Sequence, residues 1–156
     1  LLIEPALLPS LPQWGRPVTG IAAASAGWAA YDDTLAVRPG DVEDQQTCLG
    51  RLVPLIQQAT AAYGNDPGPT NAQMAELRSR FAPLARLTPE LMDAGVVNGR
   101  EAGVFGAGSN ATLGDFEMDR LEVFLPELTT ALGVDAVTVD ELVTNEFIDP
   151  MITSAG

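Results

Sequence analysis

The stretch that decides the fold is Ser109 to Met151, SNATLGDFEMDRLEVFLPELTTALGVDAVTVDELVTNEFIDPM. Met118, Leu121, Phe124, Leu125, Leu128 and Leu132 recur at helical spacing, so the segment predicts an amphipathic helix started by Asp115 and ended by Gly133. Thr138 and Glu141 then form a capping box, predicting a second helix through Leu142, Val143, Phe147 and Met151. The stretch also carries most of the charge. From Glu101 onward there are 11 acids and one base, Arg120, whereas residues 1–100 carry 10 acids and 7 Arg; the total of −13 is therefore divided −10 and −3.

The same periodicity extends toward the N-terminus. Arg38-Pro39-Gly40 reads as a turn, after which Asp41 caps a helix from Val42 to about Tyr63. Its expected buried positions are Val42, Leu49, Val53, Ile56 and Tyr63, with Pro54 kinking or dividing it. Gly64 to Pro69 is a loop, and Thr70 with Gln73 makes a capping box for a helix whose face is Met74, Leu77, Phe81 and Leu84. Thr88-Pro89 starts a short helix through Leu91, Met92 and Ala94. Six glycines between Gly95 and Gly114 suggest a long loop, with one short extended piece at Ala102 to Phe105. Further upstream, Ile21 to Ala30 suggests a small-residue helix ending near Asp32-Asp33.

Residues 1–17, LLIEPALLPSLPQWGRP, hold four Pro and predict an extended arm, since proline at that density blocks a continuous helix. Such an arm must dock on its own domain or on another subunit. Leu2, Leu7, Leu8, Leu11 and Trp14 are its candidate partner-binding residues. The expected architecture is all-α: an irregular or orthogonal bundle of five or six helices, several interrupted by Pro, forming one domain over residues 18–156 behind the arm, with a Gly-rich loop at 95–114. With 46% apolar residues, such a chain is long enough to bury a core.

Two absences narrow the chemistry. The chain has neither His nor Lys, so His-based triads and pairs, the common zinc sites, Schiff bases and phosphate-loop lysines cannot be built from it. Catalysis would fall to carboxylates, hydroxyls, Arg, Cys48 or a bound group. Ser25, in AASAG, has no His to activate it and reads as a packing residue; Cys48 has no neighbour in sequence to lower its pKa and reads as buried. Gly106 to Ala111 has the spacing of a dinucleotide fingerprint but lacks the flanking strand and βαβ pattern.

Calcium binding is the strongest temptation in the acidic region, because two segments resemble the exit of an EF-hand loop. Placing Glu141 last puts Thr130, Leu132 and Val134 at the first, third and fifth positions, and placing Glu117 last puts Gly106, Gly108 and Asn110 there. Neither set supplies the carboxylates a hard cation requires. Asp115, Asp119 and Glu122 share the side opposite the leucines, the arrangement of a solvated face.

Function is expected to be interaction or assembly without catalysis, through the arm or the acidic face, with a protein partner or a second copy. A cofactor-binding or enzymatic subunit with a pocket between Pro-kinked helices, its cofactor unknown, and a weak divalent-cation module are the alternatives. A charge of −13 argues against nucleic acid, and no run reaches the roughly 20 apolar residues of a membrane span. Asn110-Ala-Thr112 is a glycosylation acceptor pattern, and the start at Leu1 would suit a processed chain, so an extracytoplasmic or secreted setting is favoured over a cytoplasmic one.

Overall fold

Most of the helix-period segments become helices in the computed structural model, which describes Gly15, Tyr31 and residues 33–81, 88–101 and 110–153. Among these residues the fold is all-α: α1 (Pro39–Asp44), α2 (Gln46–Asn65), α3 (Gly68–Phe81), α4 (Pro89–Glu101), α5 (Met118–Leu132) and α6 (Val139–Leu142). α3 packs on α4, α5 on α6, and α1 on α2. The arm, the small-residue helix, the extended piece and residues Gly106 to Ser109 of the fingerprint lie outside the described residues.

α5 follows its sequence pattern most closely. Leu121, Phe124 and Leu125 are buried, joining Leu49, Val96 and Leu113 in the apolar core. Gly133 takes the left-handed conformation (φ 65) that an L-residue with a side chain avoids. Its N–H reaches Thr130 O at 3.3 Å while Val134 N reaches Thr129 O at 3.2 Å, a pair that closes the last turn. The start differs from expectation: Glu117, in extended backbone, precedes the first helical residue, and the Asp115 carboxylate instead accepts from Asn110 Nδ2 at 2.8 Å.

Helix 1 and helix 2 also depart from the expected single element. The chain is helical already at Pro39, where a missing amide costs nothing, and Asp41 lies in the first turn paired to Arg38 at 2.8 Å. The division falls at Gln45 (φ −109, ψ 14), and α2 continues through Pro54. The expected buried face of α2 is displaced: Ile56 is exposed, and Leu49, Gln57 and Gly64 are buried. The loop expected at Gly64 to Pro69 shrinks to Asp66-Pro67, because Gly64 and Asn65 end α2 and Gly68 already begins α3. Thr70 therefore sits inside α3 and caps nothing; Asn71 N bonds to Pro67 O at 2.8 Å as the first-turn bond.

α4 overturns the reading of Gly95 as the start of a loop. Thr88 starts the helix as expected, its Oγ1 accepting Leu91 N at 3.3 Å, but the helix runs to Glu101. Gly95, Val96 and Gly99 are its buried residues. Two glycines one turn apart cost the helix about 1 kcal/mol each relative to Ala.

At the C-terminal end, the Thr138/Glu141 capping box forms, yet α6 stops at Leu142 rather than continuing to Met151. Val143 is extended (φ −134, ψ 157), and beyond it Asp149 gives its backbone N–H and C=O to Gln57 of α2. Leu113 N donates to Ile152 O at 3.0 Å beside an antiparallel bridge between Thr112 and Thr153. Pro150, which has no amide to donate, also opposes a helix running on to Met151.

Candidate functional site

Two buried amides tie the helices to one another. Gln57 on α2 donates to Leu113 O at 2.7 Å and to Asp149 O at 3.2 Å, and its Oε1 accepts Asp149 N at 2.9 Å. One side chain thus ties α2 to the segments before α5 and after α6. Every bond it makes is to main chain, so it replaces three partners that water would otherwise supply.

Asn71, the most enclosed side chain described at 0% exposure, does the same for α2, α3 and α4. Its Oδ1 accepts from Tyr63 OH at 2.9 Å, and its Nδ2 donates to Asp93 Oδ1 at 2.7 Å. Arg100 of α4 adds to this junction by donating to Gly64 O and Asn65 O, carbonyls at the end of α2 where a cation suits the helix dipole. Met74, Leu77 and Phe81, the apolar face of α3, are 40%, 47% and 76% exposed; Leu84 lies outside the described residues. Helical spacing borders this stripe with Arg80 on one side and Arg78 on the other. The Arg80 guanidinium lies 5.4 Å from the Phe81 ring centre.

A second apolar surface lies at the turn from α5 to α6. Leu132, Val134, Val137 and Leu142 are all exposed there, interleaved with exposed Asp135, Asp140 and Glu141. The Schellman-type closure of α5 and the capping box of α6 fix the two ends of this corner. The Glu141 carboxylate accepts from Thr138 N at 2.9 Å and Thr138 Oγ1 at 2.8 Å. Those bonds, the backbone one first, hold its pKa below the ordinary carboxylate value; Glu90 is lowered by its own backbone N–H and then by the Thr88 hydroxyl. Both carboxylates are helix caps stabilised in the ionised form, the opposite of what a general acid needs at neutral pH.

A third junction orders the start of α5. The Asn145 side chain accepts Phe116 N at 2.9 Å and donates to Phe116 O at 2.8 Å, imitating a paired strand. Tyr31 OH accepts Glu117 N at 2.9 Å, its ring meets Phe116 edge-on at 5.1 Å, and Arg120 covers the ring at 4.3 Å. Glu117 and Arg120 are 3.7 Å apart. Glu117 therefore works in local structure.

Leu2, Leu7, Leu8, Leu11 and Trp14 lie outside the described residues, as does Ser25. Cys48, read as buried, is exposed, because the inward face of α2 runs through Leu49 and Gln57. Among the described residues no three His, Cys, Asp or Glu side chains gather as a metal cage. No described helix is long and apolar enough to cross a membrane. Gln57, Asn71 and Asn145 escaped the sequence reading because polar residues inside apolar helical patterns look like solvent positions. No protein-family model, curated protein or solved structure matches the chain.

Proposed function

We propose that this chain is a non-enzymatic acidic helical protein of interaction or assembly, a subunit of a larger complex. One observation carries the reading: among the described residues fifteen large apolar side chains are exposed and only six are buried as core. Single exposed leucines are ordinary, but exposed stripes on ordered helices mark surfaces that other proteins cover. The α3 stripe and the α5–α6 corner are two such surfaces, and the arm residues Leu2, Leu7, Leu8, Leu11 and Trp14 are a third by composition. The net charge of −13 supports a protein partner over a polyanion, since phosphate-bearing nucleic acid would be repelled.

Native mass spectrometry of the protein isolated from its source tests this reading. The expected result is a species heavier than the 16.4 kDa chain, with additional polypeptide mass. A bare monomer, together with unchanged mass and partner capture after deletion of residues 1–17, would sink it.

A further inference from the structure

We infer that the α3 face of one copy docks on the α5–α6 corner of a second copy, so that the chain associates with itself head to tail. This rests on the interaction reading above and names its partner. The two surfaces complement each other in both polarity and charge. On α3, Met74, Leu77 and Phe81 form an apolar stripe bordered by Arg78 and Arg80, in a chain with only eight bases. At the corner, Leu132, Val134, Val137 and Leu142 are interleaved with Asp135, Asp140 and Glu141, and no base occurs after Arg120.

Both surfaces are exposed in the same molecule, so neither covers the other within one chain. Apolar area supplies the attraction, while the opposed charges orient the approach and disfavour like-with-like pairing of two corners. A contact between two different patches is heterologous. It either closes into a ring or continues as a filament. Arg78 and Arg80 also lie in the last turn of α3, where cations suit the helix dipole, so their replacement alone would confuse helix stability with docking. The test therefore targets exposed apolar residues at the centre of each patch.

Sedimentation velocity of the full chain is run from about 1 to about 200 µM, the window in which a micromolar Kd is visible. Mass should rise with concentration, and raising NaCl from about 50 mM to about 1 M should weaken association severalfold by screening the charged borders. Leu77→Asp and Val134→Asp should each weaken self-association at least about tenfold, with unchanged circular dichroism melting. Mixed in equal amounts, the two variants should form a dimer and stop there, because each retains one working surface. A wild-type chain that stays monomeric at low salt overturns the inference. So does association of either folded variant at wild-type strength, or a mixture that gives no dimer. If wild type assembles and both variants match it, this interface falls while the interaction reading stands. If wild type is monomeric and the source protein carries no partner, both fall.

Discussion

α3 and α5 have nearly the same length, 14 and 15 residues, and nearly the same apolar spacing, yet they bury opposite things. In α5 the stripe Leu121, Phe124, Leu125 turns inward and the acids turn out. In α3 the stripe Met74, Leu77, Phe81 turns out, and the inward position is a fully enclosed asparagine. Periodicity defines a face of a helix, but the partners available to that helix decide which way the face points. α3 meets Tyr63 of α2 and Asp93 of α4 through Asn71, so its enclosed contact is a polar network while its apolar stripe stays exposed.

The largest expected effect tests this contrast directly. Phe124→Ala should cost about 3–5 kcal/mol by opening a cavity in the core. Phe81→Ala, with the same change of chemistry, should stay within about 0.5 kcal/mol because the ring is mostly exposed. Urea unfolding of the two variants measures both, and equal losses would break the comparison. Gln57→Leu comes next, at about 2–3 kcal/mol, since it keeps the volume while leaving backbone groups of Leu113 and Asp149 without their partner.

Asn71→Ala is expected to cost about 1–3 kcal/mol by leaving the Tyr63 hydroxyl without this acceptor and the Asp93 carboxylate without this donor. It also tests what fastens α3 to its neighbours. If the Asn71 network does so, amide exchange should accelerate along α3 and α4 in this variant while α5 remains protected. Uniform acceleration across all helices would mean that Asn71 contributes only to global stability.

Much of the fold was legible because its signals are local. The α5 stripe, its Gly133 stop, the Thr88 start of α4 and the Thr138/Glu141 box each depend on residues within one or two turns. The failures share a different cause. Gln57 earns its burial from main-chain groups 56 and 92 residues away, which no window of sequence contains. Gly95 and Gly99 read as loop residues by propensity, whereas both lie buried inside α4. Cys48 was misplaced by one position on the helical wheel when Gln57, rather than Ile56, proved to mark the inner face. Of the candidate site, the acidic corner could be read in advance as charge, but its exposed Leu132, Val134, Val137 and Leu142 could not. The chain beyond α6 is instead fixed by bonds between Asp149 and Gln57 and between Ile152 and Leu113, which no local pattern announces.

The smallest effect lies at the helix starts and separates α3 once more from its neighbours. α4 and α6 begin with acids held below their ordinary pKa, Glu90 and Glu141, whereas α3 has no acid in its first turn. A carboxyl whose pKa is lower in the folded than in the unfolded chain stabilises the fold fully above its unfolded value. That contribution fades as pH falls through the folded value. Acidification should therefore loosen the first turns of α4 and α6 while leaving the start of α3 unaffected by this route. Glu141→Gln should remove the acid-side change at α6 alone. Residue-resolved amide exchange across the carboxylate range reads all three helix starts together. If the amides at the start of α3 open with the same midpoint as those of α6, the loss is global and the caps do not act separately.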